Sequence, residues 1–226
     1  MDSTKKKKLI AYLRDFVTEE RWETMQKVLD QRTRYISVVL EDIYQPQNAS
    51  AVLRSCDCFG VQDVHVIEND NSFRPTKSVT IGADQWMSIH KYNKERDQNT
   101  AACYQHLRNE GYQIIATSPH VEGSDIGDFK LTDKTALVFG TELDGLSDYA
   151  IKQADGYVQI PMYGFSESYN ISVSAALCLY EVTKKLRSSD IKWQLNDEEK
   201  IDLELTWLEN SIRAAEQLKA KFLEEE

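Results

Sequence analysis

The chain has 226 residues, 41% of them hydrophobic, which is enough to bury one substantial core and argues against bulk disorder. Its formal net charge of −10 excludes a surface coated in generic positive charge, so any nucleic-acid site has to be local. The longest apolar runs, such as 172–180, fall well short of the roughly 20 residues that cross a bilayer, and the first residues lack the apolar stretch of a signal peptide, so a cytoplasmic protein with no membrane span is expected.

Residues 5–31 place Leu9, Leu13 and Phe16, then Trp22, Met25 and Leu29, at three- and four-residue spacing, which predicts a helical segment broken near Val17 and Thr18. This end is locally basic, with nine Lys and Arg against six Asp and Glu over residues 1–34, whereas residues 190–226 hold five against eleven. The Lys5–Lys8 run, with Arg14, Arg21, Arg32 and Arg34, offers cations for RNA phosphates, where each contact releases counterions. A block of like charge is equally read as a solvated terminus.

From Tyr35 the pattern changes to short β-branched runs at Ile36–Leu40, Val64–Ile67, Tyr112–Ala116, Ala136–Phe139 and Tyr157–Ile160. Helix-length segments at Ala49–Phe59, Asn99–Asn109, Asp148–Gln153 and Ile171–Leu186 separate them. The alternation predicts an α/β fold, a mostly parallel sheet with helices on both faces. The polar stretch Asn69–Thr80 reads as a long mobile loop with a basic tip at Arg74 and Lys77. A last helix from about Asp197 carries Ile201, Leu205, Leu208, Ile212 and Ala215 in a narrow stripe, behind Asn196 and Glu199 at capping-box spacing, and would pack on the domain or on a partner chain. The expected organisation is thus a helical, RNA-contacting extension over 1–34, an α/β domain over 35–188, and an acidic amphipathic helix within 189–226. Cys56, Cys58, Cys103 and Cys178 form no C-x-x-C pair or zinc-spaced cluster, so buried free thiols and no metal are expected.

Two nucleotide signatures fail. Gly140-Thr-Glu-Leu-Asp-Gly145 has the glycine spacing of a phosphate loop but is followed by Leu146-Ser147, without the lysine, and no G-x-G-x-x-G follows a predicted strand. An ATPase or a conventional dehydrogenase is disfavoured. Three loops remain at the C-terminal ends of predicted strands, where open α/β sheets bind ligands. In the first, Pro46 ends a strand and Asn48 is placed to cap a helix on which Arg54 lies about one and a half turns further. In the second, Gly140 and Gly145 bracket a turn containing Glu142, with Ser147 as a helix cap. In the third, Ile160-Pro161-Met162 leads through Ser168 and Tyr169 to Asn170, a capping residue, and a helix opening in small side chains.

These three motifs, in this order, resemble those of the SpoU-type RNA 2′-O-ribose methyltransferases of the SPOUT superfamily, over roughly Ser37 to Lys185. The flanking helices look most like the branch that methylates a guanosine in the D-loop of tRNA. The resemblance implies a C-terminal trefoil knot, which sequence physics would not suggest since knots are nearly absent among folds. It also implies a homodimer, S-adenosylmethionine as methyl donor, and RNA, most readily tRNA, as partner. Carried onto this chain, it implies Arg54, Asn48, Glu142, Ser168 and Asn170 as catalytic residues, with Arg54 credited with activating the hydroxyl. It implies Thr117, Gly140, Gly145, Ile160 and Tyr169 around the cofactor, Tyr169 standing where relatives usually carry leucine. Other readings are ribosomal RNA as substrate, a non-catalytic RNA-binding protein of this fold, and an enzyme acting on a small molecule.

Overall fold

The computed structural model describes residues 1–76, 80, 82–95, 98–119 and 123–225, and Lys77 of the expected basic tip lies outside them. The chain divides into two compact units, one built from 1–32 and 194–226, the other from 33–193.

In the larger unit the chain runs β1 (Ile36–Glu41), α3 (Pro46–Phe59), β2 (Asp63–Ile67), β3 (Ser88–Tyr92), α4 (Asn99–Asn109), β4 (Gln113–Thr117), β5 (Ser124–Asp125), β6 (Thr135–Phe139), α5 (Asp148–Lys152), β7 (Gly156–Gln159) and α6 (Ile171–Arg187). Among the described residues the sheet has seven strands in the order β3-β2-β1-β6-β4-β7-β5, all pairs parallel. Period-two alternation sorts its side chains onto two faces. Ile36, Val38, Leu40, Leu137 and Phe139 join a core with Val52, Leu53, Ala175 and Leu179 of α3 and α6, whereas Val39, Ala136 and Val138 join Cys103, Tyr104 and Leu107 of α4 and Ala150 of α5. Burial on both faces explains why these strands read as short continuous apolar runs.

Strands β3 and β5 were not expected. The first is Ser-Ile-His-Lys-Tyr, mostly half-buried, and the second spans two residues; edge strands face solvent and escape an apolar-run criterion. The stretch beginning at Asn69 is tied down where it is described. Asp42, at φ 53°, accepts on Oδ1 from the backbone N–H groups of Asn69, Asp70 and Asn71 at 2.7, 2.8 and 3.2 Å, Phe73 is buried, and Thr76 N–H donates to Ser50 Oγ at 2.7 Å. The mobile loop expected there is therefore, over 69–76, an anchored one.

In the smaller unit α1 (Ser3–Arg14) is capped by Asp2 and α2 (Glu19–Leu29) by Thr18, with the break where it was expected. Leu9, Leu13, Met25 and Leu29 are buried, while Phe16 of the expected stripe is largely exposed. The single C-terminal helix expected is two, α7 (Asp197–Ser211) and α8 (Ala215–Glu225), the first opened by the Asn196–Glu199 capping box. Ile212 leaves the helix in extended conformation, a turn that brings Phe222 to 5.5 Å from Tyr12 and Lys219 to 2.7 Å from Glu209. Tertiary packing overrides the helical pattern here. Among the described residues no helix is long and apolar enough to cross a membrane. Cys56, Cys103 and Cys178 are buried free thiols as expected, but Cys58 is exposed, being on the outer side of α3.

Candidate active site

Strand order reverses beside β1: the chain steps outward through β2 and β3, then crosses to the other side of β1, where the later strands lie in the spatial order β6, β4, β7, β5. Ligands of open parallel sheets collect outside the strand ends at such a switch point. Since Leu40 of β1 lies beside Phe139 of β6, the loops that follow, 42–45 and 140–147, emerge next to each other. The segment after β7 returns toward them before α6 begins.

Glu142 joins the three. Its Oε1 accepts from Asn48 Nδ2 at 2.9 Å and from Asn170 Nδ2, and Asn170 Nδ2 also lies 3.1 Å from Asn48 Oδ1. One carboxylate oxygen thus ties residues 94 and 28 positions away in sequence into a single polar cluster. Asn170 serves two ends at once, since its Oδ1 accepts from Ser172 N–H at 2.9 Å and caps α6. Asn48 does not cap. Pro46 occupies the first turn of α3 and Gln45 is the flanking residue, so Asn48 falls inside the first turn, buried, with its amide also donating to Gln45 Oε1 at 3.0 Å. Proline suits that position because its missing N–H would be unpaired there anyway.

The 140–147 loop closes on itself. Thr141 N–H donates to Gly145 O at 2.9 Å and Gly145 N–H returns to Thr141 O at 3.2 Å. Gly145 is in the left-handed region at φ 70°, and a Cβ on Gly140 would sit 2.1 Å from Gly145 O, so neither glycine has a substitute at hand.

Beside this loop lies a cleft of about 520 Å³, within the usual range for small-molecule sites, and Thr117, Gly140, Gly145, Ile160 and Tyr169 all line it, as does Ser168. Phe139, Leu146, Ile151 and Val158 give it an apolar floor. Thr117 Oγ1 donates to Val138 O at 2.8 Å, holding the β4 end against β6. Cys178 also lines the cleft, and burial pushes its thiol up to about 12, so it presents a neutral, unreactive surface. A slot with an apolar floor, edged by strand-end backbone, matches what an adenosine-bearing cofactor needs.

The family model for SpoU rRNA methylases matches residues 35–180. The chain belongs to that family. It is 41% identical over 206 residues, covering 91% of this chain and 92% of the relative, to the tRNA (guanosine(18)-2′-O)-methyltransferase of Borreliella burgdorferi. The structure of the Aquifex aeolicus TrmH/SpoU tRNA modifying enzyme superposes with a TM-score of 0.77 at 27% identity, over 86% of this chain and 98% of that one. The Streptomyces viridochromogenes SpoU methyltransferase AviRb, solved in complex with AdoMet, shares the fold at a TM-score of 0.60 and 24% identity, over 72% of this chain and 65% of that one.

Other expected site residues of this SpoU methylase stand apart from the Glu142 cluster. Arg54 is exposed and, among the described residues, makes no hydrogen bond or ion pair. Six residues on from Asn48, it projects about 120° round α3 and about 9 Å along it, so the two side chains do not share a face. Its guanidinium is available to a ligand. Arg14 and Arg21 are exposed on the smaller unit, Arg14 paired with Glu19 at 2.9 Å and lying 5.1 Å over the Trp22 ring. Arg34 is half-buried, 3.0 Å from Asp63 Oδ2. Arg32 corrects the expectation: it is 1% exposed, with its guanidinium 5.5 Å over the Trp207 ring, and packs the core of its unit where no phosphate reaches.

Glu41 escaped the sequence reading. At the end of β1 it is 2% exposed, and its carboxylate accepts from Ser147 N–H at 2.8 Å, Ser147 Oγ at 2.9 Å and Thr100 Oγ1 at 2.7 Å. It thereby fixes the far end of the 140–147 loop, while Ser147 caps α5 as expected. The available signal was a carboxylate closing a run of buried apolar residues, which has to be paired to be tolerated there.

Proposed function

We propose that this chain methylates the 2′-hydroxyl of a guanosine ribose in the D-loop of tRNA, using S-adenosylmethionine. The observation that carries the reading is the convergence of Asn48, Glu142 and Asn170 beside a cleft lined by every residue expected around the cofactor. When bound, S-adenosylmethionine supplies a methyl group on a sulfonium, open to attack by an oxygen placed in line. Backbone at Thr117, Gly140 and Ile160 and the face of Tyr169 would hold it.

The chain's own task is to present the hydroxyl and compensate its charge. A ribose 2′-hydroxyl is a weak nucleophile, and a guanidinium stays protonated at any working pH, which disfavours Arg54 as a literal base. In this reading Arg54, whose side chain stands apart from the Glu142 cluster, extends to the bound nucleotide to stabilise the developing alkoxide and grip the neighbouring phosphate, with the proton leaving to RNA phosphate or solvent. Asn48 and Asn170, held by Glu142, fix the ribose, and Ser168 offers a hydroxyl at the cleft wall.

The basic surface of 1–34, with Arg14 and Arg21, contacts RNA phosphates. The protein acts as a cytoplasmic homodimer with a trefoil knot at the C-terminal end of the sheet. In support of dimerisation, Val173, Leu177 and Tyr180 are 44, 39 and 51% exposed along one face of α6. Mass spectrometry of nucleosides from cells with and without the gene tests the substrate. Loss of 2′-O-methylguanosine from tRNA is expected; its loss from ribosomal RNA alone would move the reading to that substrate, and no lost mark would contradict both.

A further inference from the structure

A second hollow of about 490 Å³ lies between the β1–α3 turn and the 140–147 loop, and it shares the wall Thr141–Asp144 and Ile171 with the cofactor cleft. Two large apolar side chains on its lining are uncovered: Tyr44 is 75% exposed and Leu143 92%. Between them the polar lining is made by the amides of Gln45, Asn48 and Asn71, by Thr141, and by the carboxylates of Glu142 and Asp144, of which Glu142 is held by Asn48 and Asn170. Gln45 Oε1 accepts from Asn48, which leaves Gln45 Nε2 to donate outward, and Asn71 Nδ2 donates to Asp42 O at 3.2 Å, which leaves Asn71 Oδ1 to accept.

We infer that this hollow receives the base of the target nucleotide, with Tyr44 stacked on the base and Leu143 flanking it. The inference rests on the reading of the chain as a ribose methyltransferase. A base is joined to the ribose at the carbon adjacent to the one bearing the 2′-hydroxyl, so a hydroxyl directed at the cofactor puts its base in the adjoining space. The shared wall makes this hollow that space. Its chemistry agrees: an exposed aromatic face is what an unstacked base seeks, and the Gln45 donor and the Asn71 acceptor on the lining suit guanine O6 and N1–H.

The test compares full-length wild type, Tyr44→Ala and Tyr44→Phe in methyl transfer to a tRNA transcript, with calorimetry of S-adenosylmethionine alongside. Because Tyr44 is exposed, its truncation leaves the core intact. The slot predicts that Tyr44→Ala lowers kcat/KM for tRNA by about 10- to 100-fold at unchanged cofactor affinity, and that Tyr44→Phe stays within about threefold of wild type. Tyr44→Ala turning over like wild type, or Tyr44→Phe failing as badly as Tyr44→Ala, overturns the stacking role while leaving the methyltransferase reading intact. A wild-type protein that transfers no methyl group to tRNA overturns the functional reading and the slot with it.

Discussion

Glu142 carries two amides on one oxygen, and Gly140 lies against Gly145 with no room for a side chain. Each is a point where one residue fixes several segments. Gly140→Ala should distort the loop, costing roughly 1–3 kcal/mol of stability and abolishing cofactor binding by calorimetry, a loss that unchanged affinity would refute. Arg54→Lys keeps the charge but not the fork. We expect kcat to fall roughly 10²-fold or more with cofactor affinity intact, and near-normal turnover would remove the requirement for a guanidinium. At this scale the sequence was partly legible. The motif residues were visible as types at strand ends, yet Asn48 read as a cap because pairing with Glu142, 94 residues on, has no local signature. Arg32 read as a surface cation because nothing near it announces Trp207.

The pairing of β2 with the edge strand β3 holds the clearest titration. His65 of β2 is 3% exposed, stacks on His90 of β3 at 4.7 Å and lies 5.7 Å from His106 of α4, with Tyr92 Oη 3.0 Å from its Nδ1. Burial, then the neighbouring His90, lowers its pKa to about 3, against a lesser opposing pull from Asp63. For Asp63 itself burial works upward, but His90 and Arg34 together hold it below the usual carboxylate range. His65 therefore folds neutral. A base with its folded pKa below its unfolded value contributes fully above about pH 6.5 and loses that contribution as pH falls toward 3. By pH 5 the loss amounts to about 2 kcal/mol. Urea unfolding at pH 7 and 5 should show that drop in wild type and a smaller one in His65→Asn; equal drops would refute it. Strands with a doubly buried apolar pattern, β1 and β6, and the one-sided apolar stripe of α6 were legible, whereas β3 was not. Its histidine and lysine are tolerated because it pairs on one side only.

Over the whole molecule the charge of −10 sits beside a basic N-terminal segment, so RNA affinity should depend on few cations and fall with salt. Replacing Arg14 and Arg21 with Gln should flatten the log–log salt dependence of tRNA binding by about one to two counterions; an unchanged slope would place the RNA elsewhere. The α/β class followed from the alternation of runs, but the joining of 1–32 with 194–226 in one unit did not, since contacts such as Lys200 with Asp30 at 2.7 Å span 170 positions. The site was legible only as three motifs read together, because the sheet brings their loops to one edge.

The most direct test incubates the purified protein with a tRNA transcript and isotopically methyl-labelled S-adenosylmethionine, digests the RNA to nucleosides and identifies the labelled product by mass spectrometry. Label is expected in 2′-O-methylguanosine, and none with a transcript whose target ribose is 2′-deoxy. Label on a base, or undiminished labelling of the 2′-deoxy transcript, would contradict it.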